Sequence, residues 1–281
     1  MTSLSAIAGN YDAVLSDVWG VVHNGIAAHP SAVDALRRFR QGGGRVVLIT
    51  NAPRPSPPIV GMLDRMQVPR DAYDGIVSSG DVTRDMIARY RGQTLHYVGP
   101  LGENDGLFEG FDITLGPAQE AKAVIVTDLD DDDQTPDDYN DRIALWLSRK
   151  LPMICANPDR VVEHGDRLIY CGGALADLYE ARGGMIRMAG KPYRPIYDQA
   201  LGKAEAAAGR PLDRRRILAI GDSVRTDAIG AANAGLDLLF VTGSIHAGEL
   251  DAFGDPDPQV IRDLVAPSGA RLEAFMPRLA W

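Results

Sequence analysis

Three aspartates of this sequence stand where predicted strands end or a predicted helix begins. Asp17 ends the apolar run in YDAVLSDVW and Asp222 ends RRRILAIGD. Asp227 lies five residues after Asp222, at the start of the predicted helix TDAIGAANAG. A carboxylate in such a position can act as a nucleophile, and several together can ligate a hard cation. Each aspartate alone could equally cap a turn or a helix. Only the three aspartates together indicate a chemical site.

Three further polar side chains occupy comparable positions. Thr50 and Asn51 end RVVLITN, and Lys191 in AGKPYRP precedes a predicted helix. Thr50 alone could be a strand-end hydroxyl, and Lys191 alone could be a solvated lysine. Open α/β sheets, however, bind ligands at the carboxyl ends of their strands. The order and placement of all six residues therefore predict a ligand site at that edge.

The segments that must position these residues alternate between strand and helix. The predicted strands are 11–19, 45–51, 75–80 and 214–222. Helical patterns lie between them, and this alternation implies parallel strands joined by right-handed crossovers. We therefore predict an α/β fold, a doubly wound parallel sheet built from residues 1–80 and 184–281.

The middle of the chain also has an α/β pattern. Strand patterns occur at 94–100, 121–129 and 152–159, and a helical pattern occurs at 139–150. Because the first sheet begins before this region and ends after it, residues 81–183 are predicted to form an inserted domain.

An acidic run, DLDDDDQTPDD, interrupts this middle region with seven acids in eleven residues. It could form a calcium-like oxygen cage or a solvated loop before a helix. Clustered like charges usually stay in water, which favours the loop.

Composition excludes several classes of protein. The 281 residues carry a net charge of −9, which argues against nucleic acid or an anionic membrane as a partner. No apolar run reaches the length of a membrane span, and MTSLSAIAGN does not resemble a secretion signal. Cys155 and Cys171 lack metal-site spacing and are expected to be reduced, as in a cytoplasmic protein. In so acidic a chain, a phosphate site must gather positive charge from a metal ion, a lysine and helix N-termini.

The motifs together resemble the haloacid dehalogenase superfamily, in its class IIA branch of sugar-phosphate and pyridoxal-phosphate phosphatases. The segments that carry the resemblance are DVWGVVHNG, LITNA, GKP, GDSVRTDAIGAANAG and, in the inserted region, ANPD. The resemblance implies a Rossmann-like core with an inserted α/β cap. It also implies hydrolysis of a small phosphorylated metabolite with Mg²⁺, and a homodimer is common among similar proteins.

The resemblance assigns a role to each motif residue. Asp17 would be the nucleophile that forms an aspartyl-phosphate. The implied magnesium ligands are Asp17, the carbonyl of Trp19, Asp222 and Asp227, the last directly or through water. The implied phosphate and substrate contacts are Thr50, Asn51, Lys191, Asn157 and Asp159.

Trp19 departs from the family pattern. The residue two places after the nucleophile is usually an aspartate that protonates the leaving oxygen and later activates water, and an indole can do neither. A slow or specialised phosphatase is the first interpretation. The alternatives are a regulatory module that binds a phosphorylated ligand without turnover, a transfer in which the substrate supplies the acid or base, and replacement of the missing acid by another residue. His23 is the nearest candidate for that replacement, although a turn role fits it better.

Overall fold

The computed structural model describes residues 3–100, 102, 104–164, 167–248, 250–253 and 256–281. The strands are β1 (Ala13–Asp17), β2 (Arg45–Thr50), β3 (Gly75–Ser78), β4 (Gln93–Val98), β5 (Ile113–Leu115), β6 (Val124–Val126), β7 (Met153–Cys155), β8 (Val161–His164), β9 (Arg167–Tyr170), β10 (Ile186–Met188), β11 (Ile217–Gly221), β12 (Asp237–Val241) and β13 (Arg271–Met276). The helices are α1 (Leu4–Ile7), α2 (Pro30–Gln41), α3 (Ser56–Arg65), α4 (Ser79–Ile87), α5 (Asn140–Ser148), α6 (Gly172–Ala181), α7 (Arg194–Ala208), α8 (Ile229–Ala234) and α9 (Pro258–Val265).

The first of two compact units comprises Met1–Thr50, Pro57–Val77 and Lys191–Trp281. Its six-stranded sheet has the order β13-β12-β11-β1-β2-β3. β1 pairs in parallel with both β2 and β11, and β12 pairs in parallel with β11 and β13. All five residues of β1 are buried, as expected for a central strand covered on both faces. The predicted doubly wound α/β fold is confirmed.

The strand order of this sheet reverses between β1 and β11. Such a topological switch point is where open α/β sheets form their binding crevice, outside the carboxyl ends of the strands. Asp17 ends β1 and Asp222 directly follows β11, so the connectivity alone makes these two aspartates neighbours.

The second unit comprises Asn51–Ser56 and Ser78–Gly190. It contains a five-stranded sheet of order β10-β7-β6-β4-β5 and an antiparallel pair formed by β8 and β9. Its core includes the fully buried aromatic residues Tyr139, Trp146 and Tyr179. The aspartates of the acidic run after Asp128 are exposed, and Asp128 is partly buried. The run forms a loop that leads into a short 3-10 helix, Pro136–Tyr139, before α5.

The predicted strands 11–19, 45–51 and 214–222 correspond to β1, β2 and β11. The prediction assigned residues 81–183 to the inserted domain, whereas the second unit also includes Asn51–Ser56 and begins again at Ser78. The expected boundary at residue 184 falls before β10, and β10 pairs with β7, so the second unit continues to Gly190. No helix in the described part of the chain is long and apolar enough to cross a membrane.

Candidate active site

Asp17 is held at the end of β1 by two donors. Its Oδ1 accepts hydrogen bonds from the Val18 amide and from the Lys191 ammonium, each at 2.7 Å. Asp17 is 7% exposed and Lys191 is 2% exposed. The arrangement leaves a carboxylate of fixed orientation at the edge of the sheet where a ligand is expected.

Lys191 joins two of the three predicted aspartates. Its Nζ also donates to Asp227 Oδ1 at 2.7 Å. Burial alone would lower the pKa of Lys191, but the charges of Asp17 and Asp227 raise it above its usual range. The lysine therefore remains an ammonium, and it is the type of point charge that stabilises phosphate oxygens.

Asp227 lies on a π-helical turn, Val224–Ala228, that precedes α8. Short π-helical insertions occur frequently at functional sites. The Asp227 Oδ2 accepts the Ser223 amide at 3.2 Å. A Cβ at Gly221 would collide with the Asp227 carboxyl group, so the glycine that ends β11 permits this approach.

The three aspartates form one cluster. Asp17, Asp222 and Asp227 each offer a carboxylate oxygen, and these oxygens all lie within 4.8 Å of one another. Burial raises the pKa of Asp17 well above its usual range, and burial and Asp227 raise the pKa of Asp222 to about 6. One ammonium cannot balance three buried carboxylates if all three ionise. A small divalent cation with a preference for oxygen ligands fits this donor set.

The backbone that follows Trp19 approaches this cluster closely. Gly20 has a φ of +82°, and a Cβ there would collide with Asp222 Oδ2 and Ser244 Oγ. The Gly20 amide donates to the His23 carbonyl at 2.7 Å. In a trans peptide the Trp19 carbonyl points the opposite way, which leaves it directed away from His23. This geometry is compatible with the predicted role of that carbonyl as a cation ligand.

The side chain of Trp19 lies outside the carboxylate cluster and is 53% exposed. Its ring meets the ring of His23 edge-on, with centroids 5.3 Å apart. The same ring lies against Gly25, where an added Cβ would come within 2.5 Å of Trp19 Cη2. The indole is therefore held by His23 and Gly25 on a residue two places after Asp17, and it keeps a large accessible surface.

His23 occupies a structural position in the loop after β1. It is 1% exposed, and its Nδ1 accepts the Gly25 amide at 2.9 Å. Burial and the charge of His29 lower the pKa of His23 to about 4. The hydrogen bond assigns the proton of the neutral ring to Nε2. These contacts favour the turn role over the role of replacement acid.

The remaining predicted residues divide between the two units. Thr50 ends β2 and is buried. Asn51 belongs to the second unit, where its Nδ2 donates to Asp159 Oδ1 at 3.0 Å. Asn157 accepts the Asp159 amide at 3.2 Å and donates to Asp128 Oδ1 at 2.8 Å. Asn51, Asn157 and Asp159 thus form one hydrogen-bonded network in that unit.

Two residues near these groups were not predicted from the sequence. Burial raises the pKa of Asp128 to about 6, with the Asn157 amide opposing that rise. The position of Asp128 soon after β6 could have indicated a role at the end of a strand. The exposed aspartates that follow it in the acidic run make Asp128 hard to distinguish in the sequence. Tyr197 is fully buried on α7, and the charges of Asp227 and Lys191 act on its hydroxyl, for which the described residues offer no hydrogen-bond partner. A tyrosine on a helix gives no comparable sequence signal.

Comparisons with known proteins show the family to which the chain belongs. A family model described as haloacid dehalogenase-like hydrolase matches residues 14–109, and a second, HAD-hydrolase-like model matches residues 188–267. A solved hydrolase of the haloacid dehalogenase-like family from Brucella suis 1330 is 43% identical, with 99% of each chain covered and a TM-score of 0.85. This chain belongs to the haloacid dehalogenase-like hydrolase family.

More distant relatives carry more specific names. The ribonucleotide monophosphatase NagD of Escherichia coli (strain K12) is 27% identical over 240 residues, which cover 83% of this chain and 88% of that protein. A structure described as a possible sugar phosphatase from Cytophaga hutchinsonii has a TM-score of 0.79 at 20% identity, with 100% and 98% of the two chains covered. The latter likeness concerns the fold. The resemblance predicted from the motifs is confirmed.

Proposed function

We propose that this chain is a Mg²⁺-dependent phosphatase of small phosphorylated metabolites that acts through an aspartyl-phosphate at Asp17. The observation that carries the proposal is the buried cluster of three aspartates, whose ligand oxygens lie within 4.8 Å of one another, with Lys191 bonded to two of them. A nucleophile, cation ligands and a phosphate-binding ammonium are thereby gathered at one edge of the sheet.

Asp17 is suited to attack phosphorus because its position is fixed and one of its oxygens is held by Val18 and Lys191. Its other oxygen would form the new bond to phosphorus as the bond to the leaving oxygen breaks, and the leaving group would keep that electron pair. Water would then cleave the aspartyl-phosphate, releasing phosphate and restoring the carboxylate.

Charge is the main obstacle to this reaction, because a phosphate must approach three carboxylates. Bound Mg²⁺ would offset that repulsion as a Lewis acid. Asp17, Asp222, Asp227 and the Trp19 carbonyl would hold it. Lys191 would stabilise the equatorial oxygens as negative charge develops on them.

Trp19 would make the enzyme slow or specialised. With an indole in place of the usual carboxyl, the leaving oxygen departs without a proton from that position, and water attacks the aspartyl-phosphate without a base there. General acid–base assistance contributes about 10²–10⁴ in rate. The cation, nucleophile and lysine still provide the larger part of the acceleration available to a phosphatase.

The proposal is tested with a panel of phosphorylated metabolites in the presence of magnesium. The wild-type protein should release phosphate from at least one class of substrate. A burst of the leaving alcohol, released ahead of phosphate, should report accumulation of the aspartyl-phosphate. Asp17→Asn keeps the size of the side chain and should abolish turnover. Asp132→Asn, a change in the exposed acidic loop, is the matched control and should leave the rate unchanged.

A second function is favoured by the same tryptophan. A regulatory module that binds a phosphorylated ligand with magnesium would have no need of an acid at position 19. Tight magnesium-dependent binding of phosphate esters, with no turnover of any of them, would support this module over the phosphatase. A transfer in which the substrate supplies its own acid would instead show turnover restricted to substrates that carry a suitable acidic group.

A further inference from the structure

We propose that the indole of Trp19 is a recognition surface for a planar leaving group, so that the preferred substrates are phosphate monoesters of aromatic or heteroaromatic alcohols. This inference rests on the proposed phosphatase function and names its substrate class. It gives Trp19 a role in specificity in addition to the loss of an acid.

The first step of the argument is the exposure of the ring. Trp19 is 53% exposed, whereas the residues on either side of it in the chain, Val18 and Gly20, are buried. A large aromatic side chain that stays accessible beside buried neighbours does not pack in the hydrophobic core. Its free surface is therefore available to a ligand.

The second step is the rigidity of the loop that carries the ring. The Gly20 amide donates to the His23 carbonyl, and the His23 amide donates to the Val18 carbonyl. Asn24 Oδ1 accepts the amides of Ile26 and Ala27 at 3.0 and 2.9 Å. These bonds fix the loop before a ligand arrives, which reduces the entropy lost on binding.

The third step concerns what holds the indole itself. Its edge-on contact with the buried His23 ring and its contact with Gly25 fix one side of the ring. Gly25 has a φ of +89° and could not carry a Cβ without striking the indole. A ring fixed on one side and accessible elsewhere suits stacked or edge-on packing with a second aromatic ring.

The fourth step is position. Trp19 is two residues from Asp17, so their Cα atoms lie at most about 7 Å apart. In the proposed complex, the indole contacts the group attached directly to the phosphate oxygen while phosphorus is at Asp17. The group best matched to that position is an aromatic ring bonded to the ester oxygen.

The fifth step joins recognition to chemistry. When the phosphorus–oxygen bond of an aryl phosphate breaks, the aryloxide keeps the electron pair and is stabilised without a proton. An alkoxide leaving group needs the proton that Trp19 cannot give. The same substitution thus removes the acid and supplies a surface for the leaving groups that do not require one.

Binding of inert analogues tests the inference separately from turnover. Phenylphosphonate and cyclohexylphosphonate have similar size and the same charged group, and their carbon–phosphorus bonds are not cleaved by this reaction. With magnesium present, calorimetry should show that the wild type binds phenylphosphonate about threefold to tenfold more tightly than cyclohexylphosphonate. Trp19→Leu should abolish this preference, and Trp19→Phe should retain part of it.

Ile26→Ala is the control from the same loop, because Ile26 is 88% exposed but aliphatic, and it should leave the preference unchanged. Equal affinities for the two phosphonates in the wild type, or a preference that survives Trp19→Leu, would overturn the inference. If neither phosphonate binds, the phosphate site itself is wrong and both proposals fall. A Trp19-dependent preference without turnover of any ester would support the indole as a binding surface for planar groups, but it would overturn the phosphatase function and, with it, the assignment of these esters as substrates.

Discussion

At the residue scale, the decisive position is Trp19, because it separates two functions that one aspartate usually combines. The carbonyl of residue 19 is part of the backbone, so its availability to a cation is the same for every side chain. Protonation of the leaving group depends on the side chain alone. The backbone after Trp19 lies against Asp222, while the indole lies against His23 and Gly25.

A variant that restores the carboxyl should therefore restore the missing proton transfer. We expect Trp19→Asp to raise kcat/KM for alkyl phosphates by up to about 10²-fold, the lower end of general acid–base assistance. Aryl phosphates should gain less, because their leaving groups depart without a proton. Steady-state kinetics on an alkyl and an aryl ester would measure the difference.

Trp19→Leu is the control for this experiment, since it removes the indole without adding an acid and should not accelerate the alkyl ester. If the wild type already hydrolyses alkyl and aryl esters at equal rates, another residue is serving as the acid. The low pKa of His23 and its bond to Gly25 make that residue a poor substitute.

At the element scale, the ends of the central strands create the site, and much of this was readable from the sequence. Buried apolar runs that end in a polar residue predicted β1, β2 and β11 to within a few residues. The switch point between β1 and β11 then follows from chain order. The strand ends were predictable because a parallel strand covered on both faces has a continuous apolar pattern.

Other elements were not predictable, for identifiable reasons. The segment 75–80 was interpreted as one strand, but α4 begins at Ser79 because Ser78 and Asp81 form a reciprocal capping box. The sequence carries that signal as Ser78 followed three residues later by Asp81, at the end of an apolar run. The π-helical turn at Val224–Ala228 depends on tertiary contacts of Asp227, and the three-residue strand Ile113–Leu115 is too short to show a period.

The turn after β1 gives a prediction at this scale, because both the backbone conformation and the lack of space at position 20 require glycine. An alanine there would meet Asp222 and Ser244 and would also be strained at φ +82°. We expect Gly20→Ala to weaken Mg²⁺ binding at least tenfold by calorimetry and to lower the free energy of unfolding by about 1–3 kcal/mol.

Gly43→Ala is a matched control for that variant. Gly43 has a φ of +94°, but a Cβ there would meet no atom within 4 Å. The Gly43→Ala variant should lose about 1 kcal/mol of stability through backbone strain alone, and its Mg²⁺ affinity should be unchanged. Equal loss of Mg²⁺ affinity in both variants would show that strain, and not contact with Asp222, is responsible.

At the scale of the whole molecule, the distribution of charge follows the sheet of the first unit. The acidic cluster lies at the carboxyl ends of β1 and β11. At their amino ends, Asp12 Oδ1 accepts from Arg216 and its Oδ2 accepts from Arg210, each at 2.9 Å. The Asp12 amide donates to the Arg216 carbonyl, and the Arg45 amide donates to the Asp12 carbonyl. At the amino ends the charge of Asp12 is therefore balanced by two arginines, whereas at the carboxyl ends Lys191 pairs with two aspartates of a cluster of three.

The Asp12 pairs at the amino ends of the strands allow a prediction of how the stability of the protein changes in acid. The Arg216 and Arg210 hydrogen bonds lower the pKa of Asp12 from 3.8 to about 2. Because the pKa of Asp12 is lower in the folded protein than in the unfolded chain, ionised Asp12 stabilises the fold at pH values above about 4. That stabilisation is lost as the pH falls from about 4 through about 2. We expect Asp12→Asn to lower the free energy of unfolding by on the order of 1 kcal/mol at neutral pH, and this difference from the wild type should vanish towards pH 2.

Urea unfolding of both proteins between pH 7 and pH 2 measures that difference. Asp213→Asn is the appropriate comparison, because Asp213 also pairs with an arginine, Arg215, but on an exposed turn. Exposed pairs of this kind contribute little to stability, so Asp213→Asn should follow the wild-type curve closely. A difference between Asp12→Asn and the wild type that stayed constant over the whole pH range would mean that the Asp12 charge does not stabilise the fold, and that its backbone hydrogen bonds alone join the strands at this edge.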